Sequence, residues 1–242
     1  MAEKIVIGLT GNIATGKSIV MRMLQELGAT SIDADKLVHH LMKKGGPVYQ
    51  AIVEEFGKYV LDEKDQISRP RLGKIVFSQP NAMARLETLT HPSVLKEIKR
   101  LVAELKAPVV VVEAIKLFES GLADECQSVW VVAAPPEMQL QRLVERRKMT
   151  SDMAKQRIRA QGSQKEKVLK ADVVIDNSGP LVKTWQIEKK HYTDLVNANQ
   201  TVQAAPEPAP VEAAPAASSG ETDNRIIRRA KRYDLGGMSE LI

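Results

Sequence analysis

The sequence is poor in cysteine and in long apolar runs. Cys126 is the only cysteine among 242 residues, so an internal disulfide is excluded, and no cluster of cysteine and histidine suggests a structural zinc site. No segment reaches the roughly 18 apolar residues of a membrane helix, and no apolar stretch of signal-peptide length begins the sequence. We therefore expect a protein of a reducing, cytoplasmic compartment without a membrane partner.

The charges show only a small excess of one sign. The 35 basic and 30 acidic side chains give a net charge of +5. This charge suits an anionic ligand, but it is too small to indicate nucleic-acid binding, and we expect no nucleic-acid partner. Hydrophobic residues make up 43% of the chain and charged residues 27%, which is the composition of an ordinary globular protein.

The composition changes after residue 199. Residues 200–220 are rich in alanine and proline and contain no aromatic or basic side chain, so they are predicted to form a disordered linker. Residues 221–242 carry a cluster of arginine and lysine and are also expected to be disordered; binding of a protein partner by this tail is the alternative. The folded domain is therefore predicted to span residues 1–199.

Short apolar runs alternate with helical patterns along the predicted domain. The runs have the length of buried parallel strands. They occupy residues 5–9, 109–112, 129–132 and 173–175, with a further short candidate at 28–31. This alternation predicts a three-layer α/β fold with a parallel five-stranded sheet between helices. Residues 35–107 are almost entirely helical in pattern and are predicted to be an insertion at one edge of the sheet.

A glycine-rich loop follows the first predicted strand. Residues 11–18 match the phosphate-loop motif G-x-x-x-x-G-K-S at every fixed position, between a strand and a helix. Backbone N–H groups of such a loop surround a phosphate, Lys17 would bridge two phosphate groups, and the Ser18 hydroxyl would bind the Mg²⁺ that accompanies ATP. The predicted fold is thus that of P-loop NTPases and kinases. The residues expected to bind ATP are Gly11, Asn12, Ile13, Ala14, Thr15, Gly16, Lys17, Ser18 and Ile19.

The loop by itself does not choose among GTPases, ATPases and kinases. No guanine-reading N-K-x-D is present, which argues against a GTPase, and Glu113 alone supports a motor-type ATPase only weakly. A small-molecule kinase needs a carboxylate near the acceptor hydroxyl. Asp33 is the candidate base, because it follows the short second strand, whereas Asp35 better fits the N-terminal cap of the next helix.

Residues 139–170 have the polar, arginine-bearing character of a kinase lid. Arg142 and Arg146 are four residues apart and share a helix face. Guanidinium groups suit the charge of a phosphoryl group in transfer, so we predict both arginines to be catalytic, together with Lys17 and Asp33. A solvated basic helix end is the alternative interpretation of the arginine pair.

Further motifs occur in order along residues 4–196. They are GLTG at 8–11, DAD at 33–35, LGKIVF at 72–77, LETLTHP at 86–92, QLQRLVER at 139–146, RIRAQ at 157–161 and ADVVIDNSG at 171–179. With the phosphate loop, this series resembles the dephospho-coenzyme A kinase family.

The resemblance implies transfer of the γ-phosphoryl group of ATP to the ribose 3′-hydroxyl of dephospho-coenzyme A, the final step of coenzyme A biosynthesis. It implies that Asp33 is the base, that the helical insertion binds the acceptor, and that the arginine-bearing segment closes as a lid. Following this resemblance, we expect Asn177 to contact the nucleotide. The acceptor contacts expected in the same way are Asp33, Arg69, His91 and Lys116.

Some positions depart from the family pattern or allow two interpretations. Ala14 replaces a frequent glycine, and we expect its φ to be negative, because alanine tolerates a positive φ poorly. Lys116 would neutralise an acceptor phosphate, or it would pair with Glu113 or Glu119. His91 would touch the acceptor or mark a helix boundary, since it precedes a proline.

Two other functions stay open at this point. One is phosphorylation of a different small molecule by a kinase of the same fold. The other is a nucleotide-binding adaptor, in which the arginines and the aspartates would be idle.

Overall fold

The computed structural model describes residues 4–204. The strands are β1 (Ile5–Thr10), β2 (Thr30–Asp33), β3 (Val109–Glu113), β4 (Ser128–Ala133) and β5 (Val173–Asp176). The helices are α1 (Lys17–Glu26), α2 (Ala34–Leu41), α3 (Tyr49–Phe56), α4 (Arg69–Ser78), α5 (Pro80–Glu104), α6 (Pro136–Arg147), α7 (Ser151–Arg159), α8 (Gln164–Leu169) and α9 (Leu181–Ala204), with short 3-10 helices at Lys58–Val60 and Leu122–Glu125. Along residues 4–204, no helix combines the length and the apolarity that a bilayer crossing requires.

The five strands form one parallel sheet in the order β2-β3-β1-β4-β5. The central strands β1 and β4 are buried along their whole length, because helices cover both faces of the sheet. Their continuous apolar runs therefore predicted strands correctly, and the structure confirms the three-layer α/β fold. All five carboxyl ends lie at one edge, which is where open sheets of this kind bind ligands.

Four helices, α2 to α5, lie between β2 and β3 and share a core with one face of the sheet. Buried residues of this region, such as Ile52, Leu72 and Val94, pack in the same cluster as Val110 and Val112 of β3. The helix boundary expected near His91 is wrong, because α5 continues through Pro92. The buried side chains on both sides of the proline keep the helix packed, although Pro92 has no N–H for a hydrogen bond.

The last helix, α9, runs five residues past the predicted end of the domain, to Ala204. An alanine-containing segment without proline continues a helix readily, and the first proline follows only at position 206. The remainder of the predicted linker and the whole basic tail lie outside the described residues, as does any partner of that tail.

Helix α9 carries a buried acid on its inner side. Glu188 is fully buried (0% exposed), and neither carboxylate oxygen has a hydrogen-bond partner within the part of the chain that the structure describes. Burial raises the pKa of Glu188 to about 8. The side chain is therefore protonated at neutral pH in the folded protein.

This acid makes the free energy of unfolding depend on pH. The unfolded chain loses the proton near its ordinary pKa of 4.5, whereas the folded protein keeps it until about 8. Stability therefore falls as pH rises between these values, by at most about 1.4 kcal/mol per pH unit. We predict that Glu188→Gln, which mimics the neutral acid, removes this fall and makes the protein more stable than wild type at pH 8.

Urea unfolding at pH 5.5 and pH 8 measures the effect, with Glu63→Gln, at an exposed position, as the matched control. A wild-type stability that does not decrease between the two pH values, relative to Glu188→Gln, would contradict a protonated Glu188.

Candidate active site

The phosphate loop joins the end of β1 at Thr10 to the start of α1 at Lys17. Its two motif glycines have positive φ angles, 152° at Gly11 and 105° at Gly16. A Cβ at Gly11 would lie 2.4 Å from the carbonyl oxygen of Val132, and one at Gly16 would lie 1.9 Å from Nδ2 of Asn177. Both positions therefore exclude any side chain, on steric grounds as well as through their backbone angles.

Ala14 also has a positive φ, 61°, so the expectation of a negative angle is wrong. The loop curves through the left-handed region at this residue to turn its backbone inward. For a residue with a Cβ this conformation costs about 1 kcal/mol. The frequent glycine of the family at this position would avoid that cost.

Two side chains hold the loop from behind. Asn177, only 2% exposed, donates from Nδ2 to the Thr15 carbonyl at 2.8 Å and accepts from the Thr184 hydroxyl at 3.1 Å. Arg142 donates to the carbonyls of Ala14 (3.1 Å), Thr15 (3.0 Å) and Asn177 (2.8 Å). Both residues were expected to contact substrate phosphates or nucleotide; in the structure their side chains contact the loop backbone.

The segment after α7 holds the loop from the other side. Gln161 accepts from the Ile13 N–H at 2.5 Å, and the Asn12 side chain donates to the Gly162 carbonyl at 3.1 Å. The lid region is therefore hydrogen-bonded to the phosphate loop. Sequence reasoning did not assign Gln161 a contact, because its partner is 148 positions away.

Lys17 lies in a strongly charged environment. Its Nζ donates to the Gly11 carbonyl at 2.8 Å. Burial lowers the pKa of Lys17, and the nearby carboxylates of Glu113 and Asp35 oppose that change. Burial likewise raises the pKa of Glu113, and Lys17 lowers it. The structure thus places a lysine ammonium opposite carboxylates at the carboxyl ends of the strands.

The sequence favours Asp35 as the N-cap of the helix after β2, but in the structure the N-cap is Asp33. Strand β2 extends to Asp33, two residues beyond the predicted strand, so Asp33 is the N-cap of α2. Its carboxylate accepts from the Lys36 N–H at 2.9 Å and pairs with the Lys36 ammonium at 2.9 Å. Asp35 stands in the first turn, where burial raises its pKa, while a hydrogen bond from the Ile115 backbone and the charge of Lys17 lower it.

The residues expected at the acceptor site lie on separate elements, within the insertion and after β3. Lys116 pairs with Glu87 of α5, so both partners considered from the sequence, Glu113 and Glu119, are wrong. Arg69 is exposed at the start of α4, and its charge lowers the pKa of His39 after the larger effect of burial. His91 lies within α5.

Basic residues of the lid region differ in exposure. Arg146 is exposed near the end of α6, as its predicted contact with a substrate phosphate requires. Lys167 and Arg147 are close enough to Lys17 to lower its pKa, in the same direction as the larger effect of burial and against the effect of Glu113. Neither was singled out from the sequence.

The structure also leaves Ser18 exposed in the first turn of α1. Among residues 4–204, no group of three or more His, Cys, Asp or Glu is arranged to hold a metal ion.

Comparison with known proteins identifies the family of the chain. A family model described as dephospho-CoA kinase matches residues 5–183. The chain belongs to the dephospho-coenzyme A kinase family. Relatives include a dephospho-CoA kinase of Carboxydothermus hydrogenoformans, 46% identical over 182 residues (74% of this chain, 88% of the relative), and one of Aquifex aeolicus, 42% identical over 190 residues (78% and 96%).

Solved structures give the same family and fold. The dephospho-CoA kinase from Campylobacter jejuni is 32% identical, with a TM-score of 0.58 over 81% of this chain and 100% of that one. A Thermus thermophilus crystal structure is 29% identical, with a TM-score of 0.71 over 80% of this chain and 98% of that one. Membership of a dephospho-coenzyme A kinase family confirms the resemblance and identifies the protein as a kinase rather than an adaptor.

The strained Ala14 yields a stability prediction. Both Ala14→Gly and the matched control Ala160→Gly, at a residue with a φ of −71°, add unfolded-state entropy, which lowers the free energy of unfolding. Only at Ala14 does glycine also relieve the left-handed conformation, so Ala14→Gly should be about 1 kcal/mol more stable than Ala160→Gly. Thermal unfolding of both variants makes the comparison, and a melting temperature of Ala14→Gly that is not higher than that of Ala160→Gly would contradict the strain at Ala14.

Proposed function

We propose that the protein transfers the γ-phosphoryl group of ATP to the ribose 3′-hydroxyl of dephospho-coenzyme A and so completes coenzyme A biosynthesis. The observation that carries this proposal is the electrostatic interaction of the Lys17 ammonium with the carboxylates of Asp35 and Glu113, in a member of this kinase family. The lysine belongs to the phosphate loop, and the carboxylates lie where an acceptor hydroxyl can approach.

In the proposed reaction the 3′-oxygen attacks the γ-phosphorus, and the bond from that phosphorus to the β–γ bridging oxygen breaks. ADP leaves, and the hydroxyl proton passes to a carboxylate. Lys17 stabilises the charge on the phosphate oxygens, and the exposed Arg146 would reach the same oxygens from the lid. Arg142 acts through the loop carbonyls that it holds.

Asp35 is the better placed of the two aspartates to accept the proton. The carboxylate of Asp33 is engaged in capping α2 and in the ion pair with Lys36. Asp35 shares electrostatic contact with Lys17 and has a raised pKa, which brings a base closer to the working pH. The base assigned from the sequence, Asp33, thereby becomes the alternative.

The donor set of the site fits Mg²⁺, which prefers oxygen ligands and keeps several of its waters. The Ser18 hydroxyl would hold the ion together with the phosphates of ATP, and the carboxylate of Glu113 would hold its waters. When bound, Mg²⁺ supplies charge neutralisation at the β- and γ-phosphates. Cytoplasmic location stays a prediction.

The proposed function is tested by ADP formation with purified protein, ATP and Mg²⁺ against a panel of acceptors. We expect ADP with dephospho-coenzyme A and little with shikimate, gluconate or nucleoside monophosphates. Omission of Mg²⁺ should abolish the rate. Turnover of another acceptor without turnover of dephospho-coenzyme A would overturn the proposal.

Separate substitutions distinguish the two aspartates. Asp35→Asn should lower kcat by roughly 10²- to 10⁴-fold, the usual contribution of a general base, with ATP binding preserved. Asp33→Asn should lower the melting temperature through the lost cap, which is worth about 1 kcal/mol, and have the smaller effect on kcat. A larger loss of kcat in Asp33→Asn than in Asp35→Asn would restore Asp33 as the base.

The same assignment predicts the acid limb of the pH profile. Because burial raises the pKa of Asp35 above its ordinary 3.8, kcat/KM should fall as pH decreases through that raised value. An acid limb at or below 3.8 would contradict Asp35 as the base.

A further inference from the structure

Helix α8 carries a buried lysine that no role described above uses. Lys167 is 6% exposed. Within residues 4–204, no carboxylate lies within ion-pair distance of its ammonium, and its one hydrogen bond goes to the Ile115 carbonyl at 3.2 Å. An ammonium has three N–H donors, so two are left to be satisfied. A buried cation in this state is costly unless an anion joins it.

The single hydrogen bond locates the ammonium at the catalytic edge of the sheet. The same Ile115 carbonyl accepts from the Thr10 hydroxyl at 3.2 Å, and Thr10 is the last residue before the phosphate loop. The Ile115 backbone also lowers the pKa of Asp35, the acceptor-side carboxylate. Lys167 therefore contacts a peptide segment that also contacts the end of β1 and lies near the proposed base.

The charge of Lys167 is felt at the phosphate loop. Lys167 lowers the pKa of Lys17, so the two ammonium groups repel each other. Burial lowers the pKa of Lys167 itself, and Glu119 opposes that effect only from a distance beyond an ion pair. An anion held between Lys17 and Lys167 would remove the repulsion and supply hydrogen-bond acceptors to both.

We propose that Lys167 is a catalytic residue that contacts the phosphoryl group in transfer, on the side opposite the phosphate loop. The inference rests on the proposed function, since the reaction places a phosphoryl group between Lys17 and Asp35. In the transition state negative charge is spread over the equatorial oxygens of that group, and donors on both sides would stabilise it. Lys167 acts mainly in the transition state, because only there is the phosphorus between the loop and the acceptor.

The kinetic test is Lys167→Met, which keeps the length of the side chain and removes its charge. We expect kcat to fall by about 10²- to 10³-fold, the usual effect of removing one preorganised donor, with KM for ATP and for dephospho-coenzyme A nearly unchanged. Lys167→Arg should retain part of the rate. The matched control is Lys165→Met, on the same helix with an exposed side chain, and it should leave kcat unchanged.

Chemical rescue separates catalysis from packing. In Lys167→Cys, alkylation with 2-bromoethylamine forms a thioether that carries an ammonium at nearly the position of the lysine ammonium. The other thiol of the chain, Cys126, is buried, and alkylated wild type controls for its reaction. We expect the alkylated variant to recover most of the lost kcat, without a matching change in melting temperature.

Three outcomes would overturn the proposal. They are unchanged kcat in Lys167→Met, a raised KM for dephospho-coenzyme A at unchanged kcat, and a loss that follows melting temperature and is not rescued. The second would assign Lys167 to the acceptor pyrophosphate instead. If wild type forms no ADP with dephospho-coenzyme A, the proposed function has failed, and the same variants on the acceptor that is turned over still decide the role of Lys167.

Discussion

The site depends on one contact, the hydrogen bond from the Asn177 side chain to the Thr15 carbonyl. Gly16 has no Cβ that would obstruct this hydrogen bond. The amide nitrogen lies where a Gly16 side chain would be, so the end of β5 presses directly on the phosphate loop. Arg142 of α6 adds three hydrogen bonds to the same backbone. The Ile13 N–H is already donated to Gln161. Loop carbonyls held from behind fix the path of the remaining backbone around a phosphate, which is preorganisation by the fold rather than by the ligand.

The electrostatics of the site arise because ammonium, guanidinium and carboxylate groups lie close together at one edge of the sheet. Carboxylates at the ends of β2 and β3 oppose Lys17, while Lys167 and Arg147 approach the same lysine. Burial raises the pKa of the acids Asp35 and Glu113 and lowers that of the lysines. The neighbouring protein groups therefore compensate these charges only in part, and a bound polyanion would complete the balance.

The sequence predicted the sheet, the phosphate loop and the family, because each depends on local patterns such as apolar runs and fixed glycine spacing. It assigned the base to Asp33 and the helix cap to Asp35, two residues apart, and it misplaced the cap because that depends on where β2 ends. The positive φ of Ala14 follows from the path of the loop against its neighbours. The partner of Lys116 lies 29 positions away, and the hydrogen-bond partner of the buried Lys167 lies 52 positions away, so no local pattern carries that information.

The central claim is that this site directs phosphoryl transfer to one hydroxyl of the acceptor. Phosphorus-31 NMR of the product formed from ATP and dephospho-coenzyme A tests it most directly. The account predicts a new phosphomonoester signal coupled to the ribose 3′-proton, in step with ADP formation. ADP without a new phosphomonoester, or a phosphate on another hydroxyl, would contradict it.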